Sequence, residues 1–329
     1  MKKYSSLVLL VTLSFCWLTI MASVGHVRAA DVIYIHIKGD GTIDPIGAPI
    51  TQSGDVYTLT NNITISATYN VGIMVERNNM TLDGAGYTLK GPNAFTDGIR
   101  TNSQNNVTIE NMRITGFWGY PIRLDFSEQC LITKNNISAS MVGIFLADYA
   151  SNNGVIENIL ENSGLGIYIG GTASSNSIIG NDIKDGSDGV YIEGPNSFNN
   201  SIINNNMIGN SYGIKLTLAA ANSHIHHNNF INNAVQFSVS ANSYPNYWDN
   251  GTQGGNYWSD YGLRYPEVSE RDSTGMWNTS YVIDSNNQDR YPLMSPIISE
   301  FPSIISLIFG VAMLSSTLIF RETKRKVRA

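Results

Sequence analysis

Residues 167–190 read IYIGGTASSNSIIGNDIKDGSDGV and contain the pattern that decides the fold. Ile167 and Ile169 enclose Tyr168, which is the two-residue alternation of a β-strand. Two more short apolar stretches follow, separated by corners rich in Asn, Ser and Gly, and Val190 then takes the place of Ile167, 23 residues later. One repeat therefore predicts three short strands joined by turns.

The same apolar register continues along most of the chain in three parallel series. The first series is Ile73, Ile99, Ile122, Ile144, Ile167, Val190, Ile214 and Phe237. The second series is Leu82, Ile109, Ile132, Val155, Ile178, Ile202 and Ile225. The third series is Tyr87, Ile114, Ile137, Leu160, Ile183, Met207 and Phe230. Matching positions that stack coil upon coil bury their side chains in ladders, so the sequence predicts an all-β, right-handed parallel β-helix of about seven coils of 22–27 residues.

Asparagines keep the same period. Asn135, Asn158, Asn181, Asn205 and Asn228 each follow the second apolar series by three residues. Stacked side-chain amides can hydrogen-bond to one another along a solenoid axis. This series predicts a structural asparagine ladder at one corner of the coil.

The chain has 329 residues, a formal net charge of -6 and only 14% charged residues. Its one cluster of basic residues lies at the extreme C-terminus, which argues against nucleic acid as a partner. The predicted organisation is a signal peptide at 1–29, an N-terminal cap at 30–71, β-helix repeats at 72–243, an aromatic and Gly-rich C-terminal cap at 244–297, a transmembrane helix at 303–320 and a basic cytoplasmic tail at 321–329. The sequence thus predicts an extracytoplasmic protein that its C-terminal helix anchors to the cell membrane.

Short motifs at both ends of the repeat region resemble a known family. They are IYI at 33–35, DGTIDP at 40–45, GNYWSDY at 255–261 and DRYPLM at 289–294. Together with the repeats they look like archaeal NosD-type β-helix proteins, which carry PbH1 repeats and belong to the CASH group of carbohydrate-binding and sugar-hydrolase domains. The resemblance implies an exported β-helix and, because the name-giving member is linked to copper delivery, copper as a cofactor to test.

The end of the chain is similar to a PEF-CTERM sorting tail. Residues 299–302 read SEFP, and an apolar span and a basic cluster follow. The leading proline of the motif is missing, so the resemblance leaves both cleavage by a sortase-like enzyme and plain membrane retention open.

The outward positions of the first strand predict a binding surface. Arg123, Phe145, Tyr168, Tyr191 and Lys215 occupy that position in consecutive coils. Aromatic rings in line with cations suit sugars, and acidic sugars in particular. The prediction is a non-enzymatic protein that binds or presents a cell-surface or environmental polysaccharide, although strand surfaces favour aromatic residues in any case.

A polysaccharide-active hydrolase, lyase or epimerase is the first alternative. Asp125 and Asp148 lie near one corner of adjacent coils, and Asp185 and Asp188 lie in one turn. Glycoside hydrolysis needs two carboxylates at a defined separation. Acidic residues are also common in solvated turns, which is the competing interpretation.

Copper handling is the second alternative. His224 and His226 flank the inward-facing Ile225 and share the outer side of a strand, so they are candidate metal ligands. The aligned residues one coil earlier supply no third soft ligand. The sequence therefore favours ordinary polar surface histidines over a metal site, and no cofactor is predicted from the residues themselves.

Overall fold

The computed structural model describes residues 30–32, 34–66, 71–217, 220–240 and 244–297. The predicted signal peptide, transmembrane helix and basic tail, and the SEFP motif, lie outside these described residues. Within them, the structure contains no helix with the length and apolar character that a membrane crossing requires.

The described chain forms a parallel β-solenoid of about eight turns, in which each coil adds one strand to each of three sheets. Sheet 1 comprises Ile35–Ile37, Ile43–Asp44, Val71–Val75, Asp97–Asn102, Ile122–Asp125, Val142–Ala147, Leu165–Ile169, Asp188–Glu193, Tyr212–Thr217 and Val235–Val239. Sheet 2 comprises Ile50–Ser53, Val56–Leu59, Met80–Asp83, Val107–Glu110, Leu131–Thr133, Gly154–Ile156, Ser177–Ile179, Ser201–Ile203 and His224–His226. Sheet 3 comprises Ala30–Val32, Ile63–Ile65, Thr88–Ala94, Arg113–Phe117, Asn136–Ser138, Ile159–Glu161, Asp182–Lys184, Asn206–Ile208, Asn229–Ile231 and Tyr257–Trp258.

The core is the stack of inward-facing apolar residues from all three sheets. In sheet 1, Ile144 aligns with Ile167 and Ile167 with Val190, and all three side chains are fully buried. Sheets 2 and 3 add equivalent ladders, because alternate residues of each short strand point into the solenoid. The predicted first and second apolar series are therefore the ladders of sheets 1 and 2.

The N-terminal segment differs from the prediction. Residues 30–71 were expected to form a cap, but Ile35–Ile37 pairs in parallel with Val71–Val75 and continues sheet 1. Val56–Leu59 likewise continues sheet 2. The solenoid therefore has about eight turns, whereas the repeats predicted about seven. The first coil was not predicted because its apolar residues are irregularly spaced, although its strands still pair with those of the next coil.

The first member of the third series also differs. Leu89, and not Tyr87, aligns with Ile114 and is fully buried. The cause is the length of the turn before this strand: Leu89 follows Leu82 by seven residues, whereas Ile114 follows Ile109 by five.

The predicted asparagine ladder is present and runs without a break. Asn135 Nδ2 donates to Asn158 Oδ1 over 3.1 Å, Asn158 to Asn181 over 3.0 Å and Asn181 to Asn205 over 2.9 Å. Each amide also donates to a backbone carbonyl, as Asn181 does to Val155 over 2.8 Å. Buried polar groups at this corner are thereby satisfied by one another.

A second asparagine ladder, which the sequence analysis missed, lies at the corner before sheet 2. Asn153 donates to Asn176 and Asn176 to Asn200, each over 3.2 Å. Its signal was the recurrence of Asn two residues before the second apolar series.

Aromatic residues close the C-terminal end of the core. Trp258 continues sheet 3 beside Phe230, and the two rings stack with centroids 4.3 Å apart. Tyr281 covers the other face of Trp258 at 4.2 Å. The remaining elements of this segment are a 3₁₀ turn at Gly251–Gln253, a helical turn at Tyr261–Arg264 and a two-stranded sheet of Tyr281–Val282 and Gln288–Asp289.

Candidate functional site

The outer surface of sheet 1 carries three parallel columns of side chains, which we call the sheet-1 face. The middle column is Met74, Arg100, Arg123, Phe145, Tyr168, Tyr191 and Lys215. The column before it contains Val71, Asp97, Tyr120, Val142, Leu165, Asp188 and Tyr212. The column after it contains Asn102, Asp125, Ala147, Gly170, Glu193 and Thr217. Neighbouring coils lie about 4.8 Å apart, so side chains in one column are in contact range.

The structure brings the three predicted aromatic residues together as a continuous stack. The rings of Phe145 and Tyr168 lie 4.5 Å apart at 3°, and those of Tyr168 and Tyr191 lie 5.1 Å apart at 15°. Arg123 and Lys215 lie over the two outer rings, 5.4 Å and 5.2 Å from the ring centroids. The ring faces are therefore occupied by neighbours, and the ring edges and hydroxyls are what the stack can offer a ligand.

Hydrogen bonds fix these hydroxyls. The Tyr168 hydroxyl donates to the Glu193 carboxylate. Burial raises the pKa of Tyr168, and the bond to Glu193 raises it further. The hydroxyls of Tyr191 and Thr217 lie 3.1 Å apart. The stack is thus rigid, and Glu193 stands beside it as an acceptor for a ligand hydroxyl.

Asp125 joins two arginines at the N-terminal end of the face. Arg100 Nε donates to Asp125 Oδ2 and Arg123 Nε to Asp125 Oδ1, each over 2.8 Å. The Asp125 side chain is only 2% exposed, whereas the Arg100 and Arg123 side chains are 30% and 22% exposed. A buried carboxylate therefore holds two guanidinium groups at the surface.

Asp97 lies next to this cluster, and the sequence analysis did not identify it. Its Oδ1 accepts a hydrogen bond from the Tyr120 backbone N–H over 3.3 Å. Burial raises the pKa of Asp97, while this bond and the charges of Arg123 and Arg100 act in the opposite direction. The sequence contained a sign of its position: Asp97 lies two residues before Ile99, just as Asp188 lies two residues before Val190.

Exposed aromatic residues lie in the turns on both sides of the face. Phe95 and Trp118 precede the strands of two adjacent coils and are 66% and 58% exposed. The edge of Phe95 meets Tyr120 with centroids 6.3 Å apart. Phe126 and Tyr149 follow the strands, stack on each other at 5.9 Å and are also exposed. These residues provide the free ring surface that the central stack lacks.

The members of each predicted carboxylate pair have different surroundings. Asp125 aligns with Ala147, and Asp148 is one residue further on, exposed in the turn. In the described part of the chain, the recorded side-chain partners of Asp125 are arginines, and no hydrogen bond joins it to Asp148. The two carboxylates of this pair therefore differ in burial and in partners.

The second pair is separated by burial. Asp188 is buried in the strand, with its carboxylate 3.8 Å from Lys215 Nζ. Asp185 is exposed in the preceding turn with a positive φ of 55°. Asp188 therefore lies buried in sheet 1 beside a lysine, whereas Asp185 lies exposed in the turn.

The histidines of sheet 2 interact with one another and with their neighbours. His226 Nδ1 and His227 Nδ1 lie 2.7 Å apart, and His227 Nε2 lies 3.0 Å from the carbonyl oxygen of Gln253. A carbonyl only accepts, so His227 donates from Nε2 and His226 donates to His227 Nδ1. Burial, together with the charges of His227 and His224, lowers the pKa of His226 to about 4. His224 instead stacks on Tyr247 with ring centroids 4.8 Å apart.

These contacts do not fit a copper site. A metal bound by both His226 and His227 through Nδ1 would have to break the hydrogen bond between them. Within the described ranges, no group of three or more His, Cys, Asp or Glu side chains is placed to hold a metal ion.

Open hollows lie outside the central part of the sheet-1 face. One of about 490 Å³ lies between sheets 2 and 3 and includes Asp83, Arg113 and Lys134 in its lining. Another of about 270 Å³ lies beside Val235 and Tyr281, at the C-terminal end of the solenoid. The face itself is an extended surface, and that shape suits a polymer better than an enclosed small molecule.

Comparisons with known proteins agree with the architecture. The family described as "Periplasmic copper-binding protein (NosD)" matches residues 33–196 and 93–263, which together span more than half of the chain. Comparison with curated protein sequences gave no match.

Solved structures of a periplasmic alginate epimerase, AlgG, share the β-helical form. One single mutant of AlgG is 14% identical, with 72% of this chain and 73% of that chain covered and a TM-score of 0.44. Another single mutant is 13% identical, with 62% and 71% covered and a TM-score of 0.41. Similarity at this level carries no argument about what the present chain does.

Proposed function

The chain belongs to the NosD family of β-helix proteins, and from this membership we propose that it acts outside the cytoplasm. From the sheet-1 face we propose that it binds or presents a carbohydrate polymer there, without catalysis. One observation carries the proposal. Exposed aromatic rings, hydroxyl groups and charged groups lie together on the sheet-1 face, at equivalent positions of successive coils. Sugars offer apolar ring faces and hydroxyls at once, so a binding surface needs both kinds of partner close together.

The dimensions of the face suit a polymer. Phe95 and Trp118 stand at one side of it, and Phe126 and Tyr149 stand at the other. Between them, the equivalent residues of successive coils lie about 4.8 Å apart along the solenoid axis. A saccharide chain that lies along the axis would contact ring surfaces at its edges and hydroxyl or carboxylate groups, such as Glu193, beneath it.

Membrane attachment forms part of the proposal. Residues 303–320 are an uncharged apolar run long enough to cross a bilayer, and basic residues follow at once. Anchored in this way, the solenoid would present its sheet-1 face to polymers at the cell surface.

The test is retention of polysaccharides by the full chain. The parent is compared with Phe95→Ala plus Trp118→Ala on an array of neutral and acidic polysaccharides. We expect the double variant to lose at least tenfold in affinity, because two exposed rings leave the face. Tyr244→Ala is the matched control, since Tyr244 is exposed to a similar degree but lies in the C-terminal segment.

Failure of the parent to retain any polysaccharide would refute the proposal. Equal affinity of the parent and the double variant would move the site away from these rings.

A further inference from the structure

Arg100 and Arg123 present a pair of unoccupied guanidinium ends on adjacent coils. Both arginines use Nε to bind Asp125. In the described ranges, no hydrogen bond engages the terminal nitrogens Nη1 and Nη2 of either residue. Each guanidinium therefore keeps the end whose two parallel N–H groups match a carboxylate.

The arrangement is held in place from below. Asp125 is almost fully buried and accepts one bond on each oxygen, so it fixes both guanidinium planes at once. Arg123 is held further by the rings of Tyr120 and Phe145, which lie 5.2 Å and 5.4 Å from its Cζ. Two fixed arginines lose less conformational entropy on binding than two free surface side chains would.

The charges also favour one anion. Two guanidinium groups face one buried carboxylate in Asp125, which leaves an excess of one positive charge. Asp97 is the other acidic group beside them, and its Oδ1 accepts a hydrogen bond from the Tyr120 backbone N–H. The terminal ends of the two guanidinium groups remain available to the carboxylate of a ligand.

We propose that Arg100 and Arg123, positioned by Asp125, form a subsite for the carboxylate of a uronic acid unit, so that the polymer on the sheet-1 face is a uronan. This inference rests on the proposed function, because it names the chemical class of the same ligand. The flat carboxylate of a uronate fits the fork of a guanidinium. The exposed ring of Phe95 contacts Tyr120, and the Tyr120 ring lies 5.2 Å from Arg123 Cζ, so a ring surface for the sugar is close to the cluster.

The experiment compares each uronan with its own uncharged form. Polygalacturonate, polyglucuronate and polymannuronate are titrated into the full chain beside the same polymers after chemical reduction of their carboxyl groups. We expect the parent to bind at least one uronan at least tenfold more tightly than its reduced form. Added salt should weaken binding of the acid and leave the reduced form unaffected.

The decisive variant removes the three charges together. Arg100→Gln, Asp125→Asn and Arg123→Gln in one chain leave no unpaired buried charge, so the variant has a better chance to fold than either arginine change alone. It should bind the acid and the reduced polymer with equal affinity. Lys90→Gln changes the net charge by the same amount on the outer side of sheet 3 and should keep the preference of the parent.

A second variant keeps the test informative if the triple variant does not fold. Arg100→Lys retains the positive charge but loses the planar fork, and it should reduce the preference for the acid by about fivefold or more. Circular dichroism and thermal unfolding of each variant establish that it is folded.

The outcomes separate the two claims. Equal binding of acid and reduced polymers by the parent would overturn the carboxylate subsite and leave carbohydrate binding intact. A preference for the acid that persists in the folded triple variant would overturn it as well. Absence of binding to all six polymers, together with a blank polysaccharide array, would overturn both.

Discussion

The inner and outer sides of the same strands use the one-coil repeat in different ways. Inside, Ile144, Ile167 and Val190 repeat one chemical class, and each residue is buried by its own kind above and below. Outside, one column changes from arginine to aromatic ring to lysine, and each residue is held by a different neighbour. An interior ladder needs similarity, because a closed apolar stack excludes polar groups, whereas an exterior column gains stability from complementary charges and rings.

The largest expected effect comes from a charge in the interior. Ile167→Asp should destabilise the chain by about 4–5 kcal/mol, because it buries an unpaired carboxylate between two apolar coils. Tyr168→Asp changes the adjacent, outward residue and should cost about 1–2 kcal/mol, since it loses ring stacking and faces Glu193. Urea unfolding of both variants measures the difference, and equal losses would contradict the assigned inward and outward positions.

The next effect distinguishes a buried from a half-buried asparagine. Asn181→Leu should cost about 3 kcal/mol, because it deprives the Asn158 amide of its acceptor and the Asn205 side chain of its donor. Asn206→Leu changes a half-buried outer asparagine that donates to Asp182 and accepts from Asn229. It should cost about 1 kcal/mol, because Asn229 Nδ2 keeps a second acceptor in the Ile297 carbonyl. The midpoints of thermal unfolding test this contrast, and a costlier change at Asn206 would show that the ladder is not the main polar constraint.

A pH-dependent effect is expected where the interior meets the C-terminal segment. Burial raises the pKa of Asp289 to about 7, although the N–H groups of Asn256, Trp258 and Tyr291 donate to its carboxylate and oppose the shift. Between about pH 4 and 7 the unfolded chain has lost this proton and the folded chain still holds it, so stability falls as the pH rises through that range. Asp289 alone contributes a loss of stability of about 3 kcal/mol from pH 5 to 8, and the opposite contribution of His226 offsets much of this loss below pH 6.5.

Asp289→Asn should remove this fall, as measured by urea unfolding with the fluorescence of Trp258 as the signal. His226 on the outer side acts with the opposite sign, because its lowered pKa of about 4 makes stability rise between about pH 4 and 6.5. His226→Gln should therefore steepen the fall that Asp289 causes. A parent whose stability rises steadily to pH 8 would contradict the assignment to Asp289.

The smallest effect concerns a single exterior hydrogen bond. Tyr168→Phe keeps the ring stack and loses only the bond to Glu193, so it should cost about 0.5–1 kcal/mol. Glu193→Gln made alone and together with Tyr168→Phe completes a double-mutant cycle in thermal unfolding. Strict additivity of the two changes would show that this bond contributes nothing measurable.

Much of the fold could be predicted because the interior is repetitive. Each inward position of the first two series matched a ladder, since a fixed coil length turns sequence period directly into spatial alignment. The first coil was missed because the steps before Ile73 are irregular, and strand pairing alone shows that Ile35–Ile37 continues sheet 1. Tyr87 was misassigned because the turn before this strand is two residues longer than in the next coil, which places Leu89 in the ladder.

The candidate site was less predictable. The sequence placed Arg123, Phe145, Tyr168, Tyr191 and Lys215 in one column, but ring orientation was not available from spacing. The rings lie parallel to one another, so the column is a closed stack and not a row of open ring faces.

The sequence by itself determined the coil length, the three sheets and the side of each strand that faces the core, because strand alternation and burial of apolar groups need no knowledge of distant residues. The tertiary structure decided which outward groups bind one another. Arg100 and Asp125 are 25 residues apart in sequence and are in contact only because adjacent coils align. The side-chain torsions of Arg100 then determine that it binds Asp125 and no other carboxylate. Side-chain torsions also direct His226 toward His227 and away from a shared metal. Side chains on a surface have several rotamers available, and only the full set of neighbours selects among them.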